Sequence, residues 1–487
     1  MAFSARWRWL VRSARLASVA GVVLIAGNAS AATFTRGFVD DVWIYPNNPA
    51  QTTVQWARNV HASGARIAEV EVDWTGYETH APAVGTNAAN PANAAYGNWS
   101  DLDTVVRTLA KAGVQPMFMV TDAPRWAEAS SSAAALTQAY VPNDKAFRAF
   151  MKALATRYDG HYADPLNPGH ALPRVRYYQD WAEANLSIKL GPQWTRSHGT
   201  WVNTGAAIYR GMLNAFYAGV KSAVASDVVI FSGLESYGDP PGTRLGRVAP
   251  VTFLENVLCL NAKLQKVCND PVHFDVMASD PYEVGSPTTP AVNTNDASAP
   301  DLAKLTKVVN AGLRLRTVLP ARAKPLWVTE FSYDSNPPNP KGGLPLLKQA
   351  HWLEQSFYVF WKEGVSTVLW YLIRDQPGKA YATTYYSGIY FYNGKRKPSY
   401  TAYSFPLVVA ADGTHAQIWG VAPRRGAVAV QQRHGSRWRT VSTFHPAAGG
   451  VFSAVIPAPT RGSSFRAIEL HRSHARGAIN ASLPWTY

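Results

Sequence analysis

Long apolar runs and dense blocks of positive charge are both missing from most of this 487-residue chain. After residue 30, no apolar stretch approaches the ~20 residues that a membrane-spanning helix needs, which argues against a membrane channel. No long Lys/Arg block is present either, which argues against a polybasic tail. Charged residues make up only 16% of the chain and hydrophobic ones 47%, so most of it can fold around one large core or two ordinary cores.

The first 31 residues have the pattern of a secretory signal peptide. Four arginines between residues 6 and 15 precede an apolar stretch from Leu16 to Gly27 and a small-residue triplet at 29–31, which predicts cleavage before Ala32. An uncleaved anchor helix is the alternative, but the apolar stretch is short for a membrane span. We therefore expect a secreted or periplasmic protein with no transmembrane segment in the mature chain. The net charge of the full chain is +15, and the chain remains positively charged when the leader is removed.

Cysteine is scarce: Cys259 and Cys268 are the only two, nine positions apart. Export permits disulfides, so we favour a bridge that closes this short loop over two buried free thiols. No second Cys or His pair stands at ligand spacing, so no metal site of the zinc type is expected.

Between residues 34 and 408, β-rich apolar runs alternate with amphipathic helical stretches, as in a parallel sheet with crossover helices. The strand candidates are Phe38 to Ile44, Arg66 to Trp74, Val114 to Val120, Val175 to Trp181, Val228 to Gly233, Phe274 to Ser279, Pro325 to Glu330 and Thr367 to Leu372. Eight such units predict an α/β fold, the (β/α)8 TIM barrel.

The sequence pattern changes after Pro406. Short β-prone segments punctuated by Gly, Pro and Arg predict a small C-terminal antiparallel β-sandwich of about five strands. The predicted organisation is a signal peptide at 1–31, a catalytic barrel at 32–408, a β-domain at 409–474 and a tail at 475–487. That tail has little pattern and either trails loosely or packs back on the surface.

Two glutamates stand at the carboxyl ends of predicted barrel strands, where the reactive groups of this fold lie. Glu183 follows the fourth strand and Glu330 the seventh. Strands four and seven face each other across an eight-stranded barrel. Two carboxyl groups over one opening suit the cleavage of a glycosidic bond: one donates a proton to the departing oxygen, and the other attacks the anomeric carbon or activates water.

The segments around these glutamates resemble the motifs Trp-Asn-Glu-Pro-Asn and Thr-Glu-Phe/Gly of the large clan of retaining glycoside hydrolases, nearest to family 39 and family 5-like members. The resemblance covers roughly residues 35 to 408 and includes Pro124 to Trp126, Asp280 to Tyr282 and Trp370-Tyr371. It implies that Glu183 is the general acid/base and Glu330 the nucleophile, with net retention through a covalent glycosyl-enzyme and no cofactor.

The chain departs from that pattern in three places. Ala182 replaces the Asn that holds the 2-hydroxyl of the bound sugar in the resembled enzymes, Glu69 replaces an Arg beside the nucleophile, and strand six ends in Ser279-Asp280. Strand alternation puts Glu69, Glu71 and Asp73 on one face, which points into the barrel if the intervening valines face the helices. We expect these acids to pair with Arg; a hard-cation site and partial protonation are the alternatives. The changes indicate an unusual sugar, or lost activity.

Further residues at strand ends are candidates for substrate binding, because flat rings stack on sugars and polar groups bind hydroxyls. For the aromatic candidates, packing in the core is an equally good interpretation. The candidates are Trp74, Trp126, Asn185, Glu235, Tyr282, Trp370 and Asp375.

Other classes of function lack their signatures. No Gly-rich phosphate loop follows a strand, and no Gly-x-Ser-x-Gly elbow is present. The basic residues are mostly scattered, which argues against nucleic-acid binding; the arginines from Arg424 onward favour an acidic glycan or the cell envelope instead. The sequence therefore predicts an exported glycosidase that cleaves O-glycosidic bonds in a polysaccharide, oligosaccharide or glycoconjugate. A non-hydrolytic carbohydrate-binding barrel and a transglycosylase are the alternatives.

Overall fold

The computed structural model describes residues 34–487 except 41–49, 130–136, 244–245, 382–383, 472 and 474–476. The predicted signal peptide and the part of the first predicted strand beyond Asp40 lie outside these residues. Within the described part, no helix has the length and apolar character to cross a bilayer.

Eight parallel strands form a nearly closed barrel. They are β1 (Thr35–Val39), β2 (Ile67–Asp73), β3 (Gln115–Thr121), β4 (Tyr177–Asp180), β5 (Val228–Ile230), β6 (Met277–Ser279), β7 (Leu326–Val328) and β8 (Val365–Tyr371). Their order in the sheet is β5-β4-β3-β2-β1-β8-β7-β6. A parallel bridge between Ile230 and Val276 joins the two ends. The predicted (β/α)8 TIM barrel is confirmed, and each strand overlaps its predicted segment.

Helices connect and surround the strands. They are α1 (Ala50–Ala62), α2 (Trp74–Tyr77), α3 (Ser100–Lys111), α4 (Asp144–Arg157), α5 (Thr204–Ala223), α6 (Pro250–Val257), α7 (Ala303–Arg314), α8 (Leu346–Lys362) and α9 (Pro398–Ser404). Side-chain caps fix where two of them begin: Asn143 accepts the Ala146 N–H at 3.0 Å, and Asn203 accepts the Ala206 N–H at 3.1 Å. The described part of the barrel domain also contains three short two-stranded sheets. Their paired strands are Trp194–Ser197 with Thr200–Asn203, Val272–His273 with Val318–Leu319, and Ser335–Asn336 with Leu344–Pro345.

The alternation of side chains along β2 separates the core from the barrel interior. Ala68, Val70 and Val72 are buried in the main core between strands and helices. Ile67 faces inward and belongs to a small apolar layer that fills the lower barrel. The next inward positions on the same strand are therefore the acids, which lie above this layer toward the carboxyl ends.

The C-terminal domain is an antiparallel sandwich, as predicted, but has seven strands rather than five. One sheet has the order β9-β10-β13 and the other β12-β11-β14-β15, with β9 (Leu407–Asp412), β10 (His415–Val421), β11 (Val428–His434), β12 (Arg437–Phe444), β13 (Val451–Pro457), β14 (Ser464–Glu469) and β15 (Trp485–Thr486). The last strand lies in the predicted tail. Trp485 Nε1 donates to the Val409 carbonyl at 2.9 Å, so the end of the chain packs back on the sandwich.

Cys259 and Cys268 form a disulfide with their Cα atoms 5.1 Å apart. The bridge closes the loop that follows α6.

Candidate active site

A cavity of about 470 Å³ opens at the carboxyl ends of the barrel strands. Glu183 and Glu330 both line it, so the two glutamates from opposite sides of the barrel reach the same opening. A larger cleft of about 710 Å³ lies against α8 and the C-terminal sandwich, but among the described residues on its lining Glu363 has the one acidic side chain. The paired carboxyl groups make the barrel cavity the candidate active site, despite its smaller volume.

Glu183 occupies a backbone conformation that non-glycine residues rarely adopt. Its φ is +47°, and Trp181, two residues earlier, has φ +67°. Such left-handed conformations cost about 1–3 kcal/mol each and persist only where the surroundings fix them. Here the Glu183 N–H donates to the Gly233 carbonyl at 2.8 Å, and the Trp181 indole N–H donates to the Lys189 carbonyl at 3.1 Å. These bonds turn the chain after β4 so that the Glu183 side chain enters the cavity.

The surroundings of Glu183 favour its protonated form. Burial is the largest cause that raises the pKa of Glu183 to about 7, and the charge of Glu235 adds to it. A hydrogen bond between the Glu183 and Glu235 carboxyl groups raises the pKa of Glu183 further, while Lys189 acts in the opposite direction. Arg247 lies 3.6 Å from Glu235 Oε1 and favours the charged form of that acceptor. Glu183 is thus equipped to hold a proton near neutral pH.

Glu330 has the opposite hydrogen-bonding environment. Burial and the charge of Glu183 raise the pKa of Glu330, but the Tyr282 hydroxyl donates to Glu330 Oε1 at 2.9 Å and lowers it. A donated hydrogen bond stabilises a carboxylate. Burial is the largest cause that raises the pKa of Glu330 to about 7, the same value as for Glu183, so the two carboxyl groups titrate as a coupled pair.

Two of the predicted substrate-binding tryptophans are instead core residues. Trp74 is fully buried, stacks on Phe147 with ring centroids 4.9 Å apart, and donates to Glu78 at 2.6 Å. Trp370 is also fully buried, and its indole N–H donates to the Ser387 carbonyl at 2.8 Å. Neighbouring residues on a strand point to opposite faces, so at the end of β8 the cavity is lined by the residue after Trp370, namely Tyr371.

Asn185 and Asp375 make contacts within the protein: all polar side-chain atoms of Asn185 are engaged, whereas Asp375 uses Oδ1 and its Oδ2 has no hydrogen-bond partner among the described residues. The Asn185 amide donates to the carbonyls of Glu235 and Val248 at 3.0 and 2.8 Å and accepts from the Glu235 N–H at 3.0 Å, which ties together the loops after β4 and β5. Asp375 is buried and lies 2.5 Å from Lys397 Nζ. Neither side chain lines the cavity, and contact with a substrate stays a prediction for both.

The other three candidates lie at or near the site. Tyr282 and Glu235 contact Glu330 and Glu183, respectively, as described above. Trp126 is half-buried, donates to the Glu78 carbonyl at 3.0 Å and packs edge-on against Trp74, but it does not line the cavity.

The three acids of β2 line the cavity, as strand alternation predicts. The expected pairing with Arg is wrong: within the described residues, none of the three has a cationic nitrogen within 4 Å. Asp73 accepts backbone N–H groups of Thr75 and Gly76, whereas Glu69 has no hydrogen-bond partner there. Burial, then the charges of Glu330 and Glu71, raises the pKa of Glu69 well above its ordinary value. Among all residues that the structure describes, no group of three His, Cys, Asp or Glu side chains is arranged to hold a metal ion.

Several cavity residues were not among the sequence candidates. Lys189, Asp122, Gln376 and Tyr385 all line the cavity. Asp122 follows β3 directly, so the same strand-end rule that selected the glutamates would have found it. The other three come from loops, where sequence pattern alone gives no orientation.

Comparison with known proteins gives a likeness of fold. No family model matches the sequence, and no curated protein matches it. Among solved structures, the chain is similar to a family 39 glycoside hydrolase from the gut symbiont Bacteroides cellulosilyticus WH2, with a TM-score of 0.53 and 14% identity over 87% of this chain and 80% of that one. Weaker similarities include a glucosidase from Croceicoccus marinus (TM-score 0.48, 12% identity, 88% and 97% covered) and the GH39 enzyme from Xanthomonas axonopodis pv. citri (0.46, 13%, 88% and 92%).

The first of these structures comes from the family that the sequence resembles. At 14% identity, the likeness supports the barrel architecture and carries no information on substrate.

Proposed function

We propose that this protein is an exported retaining glycoside hydrolase that cleaves O-glycosidic bonds in a polysaccharide, oligosaccharide or glycoconjugate. The observation that carries the proposal is the pair of carboxyl groups in one cavity with opposite hydrogen-bonding environments. Glu183 shares a hydrogen bond with the carboxyl group of Glu235, and Glu330 accepts one from the Tyr282 hydroxyl at 2.9 Å. Glycosidic cleavage needs this division, with one acid protonated and the other ionised.

The proposed reaction has two displacements. In the first, the Glu330 carboxylate attacks the anomeric carbon while Glu183 gives its proton to the glycosidic oxygen, so the C–O bond breaks and the aglycone leaves as an alcohol. A glycosyl ester on Glu330 results. In the second, Glu183 takes a proton from water, whose oxygen attacks the anomeric carbon and frees Glu330. Two inversions give net retention, and no cofactor is required.

Export is supported by the leader pattern in the sequence and by the disulfide, which suits an oxidising compartment.

The test is hydrolysis of aryl glycosides in both anomeric forms, pyranosides and furanosides alike, by the mature chain. We expect release from at least one, and Glu330→Gln should abolish it while leaving glycan binding intact. Asp412→Asn, which removes an exposed carboxyl group from the C-terminal sheet, is the control that should keep activity. A wild type that binds glycans but releases nothing would support a binding barrel. Sugar transfer to an added acceptor, in place of release to water, would indicate a transglycosylase.

We further propose that the C-terminal sandwich associates with acidic glycans. Residues 407–487 contain nine arginines against two acids, Asp412 and Glu469. On the outer face of one sheet, Arg466 lies over the Trp438 ring at 4.5 Å, and Arg433 is paired across the strands with the same tryptophan. A flat ring flanked by cations suits a sugar polymer that carries carboxylates.

Retention on immobilised polygalacturonate, compared with neutral dextran, tests this association. We expect salt-sensitive retention on polygalacturonate that the double variant Arg433→Gln/Arg466→Gln loses. Arg58→Gln, at an exposed position of α1, should not change it. Equal retention on dextran, or equally strong binding to duplex DNA, would contradict the proposal.

A further inference from the structure

The candidate active site is strongly acidic, although the chain as a whole is basic. Among the described residues that line the cavity, seven have carboxyl groups and Lys189 supplies the one cation. The seven are Asp40, Glu69, Glu71, Asp73, Asp122, Glu183 and Glu330. Carboxyl groups withdrawn from water are costly unless a positive charge or a proton compensates them.

The protein itself supplies little of that compensation. Asp40 and Asp73 accept backbone N–H groups, and Lys189 reduces the repulsion at Glu71 and Asp122. Burial nevertheless remains the largest influence on Glu71 and Asp122, and it raises the pKa of both. Lys189 and, at Asp122, Arg125 favour the charged forms, but these two cations are fewer than the seven carboxyl groups of the cavity.

Glu69 is a second and independent sign of a ligand. Its side chain is only 5% exposed, lines the cavity, and has no hydrogen-bond donor within the described part of the chain. Its carboxyl oxygens are open to the cavity rather than sealed in the core, and a carboxyl group so placed is expected to gain a partner when the site is filled. Glu69 and Glu330 line the same cavity, and the charge of Glu330 acts more strongly on Glu69 than that of Glu71 does, so we place the missing partner on the Glu330 side of the cavity, close to the anomeric carbon.

We infer that the sugar in the innermost subsite carries a free amino group next to its anomeric carbon, as in a 2-amino-2-deoxy sugar that is not acetylated. This inference rests on the proposed function, since it places the sugar by Glu330. An ammonium group offers three donors and a positive charge to Glu69 and Glu330, whereas a hydroxyl offers one donor and no charge. Ala182 lines the same cavity and has no polar side-chain atom to bind a neutral substituent.

The inference also excludes two related classes of sugar. N-acetylation removes the positive charge and adds bulk. A uronic acid brings another negative charge into an acidic cavity, where like charges repel. The substrate should therefore be a deacetylated amino sugar.

The test compares matched 4-nitrophenyl glycosides of glucosamine and galactosamine with their N-acetyl and 2-hydroxy counterparts, in both anomers. The assay runs at about pH 6, below the ~7.7 pKa typical of an α-amino group. We expect kcat/KM for a free-amine glycoside to exceed that of its counterparts by about tenfold or more, the effect of one charged hydrogen bond. A faster reaction of the hydroxy or N-acetyl glycoside would overturn the inference and leave the proposed hydrolase intact.

A charge variant separates recognition from stability. Glu69→Gln keeps the size of the side chain and should reduce the preference for the amine about tenfold, with an unchanged melting temperature. Asp412→Asn, which removes a carboxyl group outside the cavity, should leave the preference unaltered. An unchanged preference in Glu69→Gln would count against the inference.

Failure of all hydrolysis would refute the proposed function, and binding would then decide the inference. Calorimetric titration with methyl glucosaminide and methyl glucoside should show at least about tenfold tighter binding of the amine. Equal affinities would overturn it.

Discussion

Tyr282→Phe tests how Glu330 is kept ionised for nucleophilic attack. The substitution removes one hydroxyl and leaves the ring in place against Phe331, whose centroid lies 5.7 Å away. It deletes the 2.9 Å hydrogen bond to Glu330 Oε1, while burial and the charge of Glu183 continue to raise the pKa of Glu330. The carboxylate then loses its one described donor.

The size of the effect follows from the strength of that bond. A hydrogen bond to a charged acceptor contributes about 1.5–3 kcal/mol, and one pKa unit corresponds to about 1.4 kcal/mol. Losing the donor destabilises the ionised form, so the pKa of Glu330 should rise by about one to two units. The acid limb of the pH profile of kcat/KM should move to higher pH by the same amount, with a ~10–100-fold loss of rate below it.

The assay is the pH dependence of kcat/KM on the best aryl glycoside, for the wild type, Tyr282→Phe and a matched control. Tyr333→Phe is that control, because it also removes a hydroxyl that donates to a buried carboxyl group, Glu283, but one that does not line the cavity. The control should keep the acid limb in place. An unshifted limb in Tyr282→Phe would refute the assignment of Glu330 as the ionised partner.

Three further predictions concern the proton donor and the buried ion pair. Glu183→Gln should reduce kcat/KM about 10²–10⁴-fold for alkyl glycosides but far less for 4-nitrophenyl glycosides, whose leaving group needs no proton; equal losses would contradict its role as the acid. In the wild type, the alkaline limb should lie near pH 7, because the pKa of Glu183 is raised to about 7 and activity is lost as the proton leaves; a limb near ~4.3, the ordinary value, would contradict this. Lys397→Met should lower the free energy of unfolding in urea by about 3–5 kcal/mol, since it leaves the Asp375 charge buried and unpaired; a loss below ~1 kcal/mol would contradict a stabilising role for this ion pair.

The barrel could be predicted from the sequence because its signal is repeated eight times. Each strand is a short apolar run followed by a helical stretch, and a misplaced boundary in one unit does not change the number of units. The C-terminal sandwich was harder to count. Its last strand, Trp485–Thr486, has only two residues and pairs with β14 through contacts distant in sequence.

The two glutamates could be predicted because fold and chemistry agree on strand ends as the place for reactive groups. The side-chain partners were less predictable. Trp370 and Tyr371 are both aromatic and adjacent, and their sequence does not say which of them faces inward. Similarly, the prediction that Arg would pair with the acids of β2 followed from the cost of buried charge, whereas no residue that the structure describes forms a hydrogen bond with Glu69. Buried charges are usually paired within the protein, so a carboxyl group that lacks such a partner marks a place where a ligand is expected to supply one.

The central claim is that Glu330 forms a covalent bond with the sugar, while Glu183 donates a proton to the leaving group and then accepts one from water. The most direct measurement is mass spectrometry of Glu183→Gln enzyme quenched in acid during turnover of a 4-nitrophenyl glycoside, because this variant forms the intermediate readily but hydrolyses it slowly. We predict one glycosyl group in ester linkage on the peptide that contains Glu330. A glycosyl group on a different residue, or an unmodified enzyme that releases the inverted sugar, would contradict the claim.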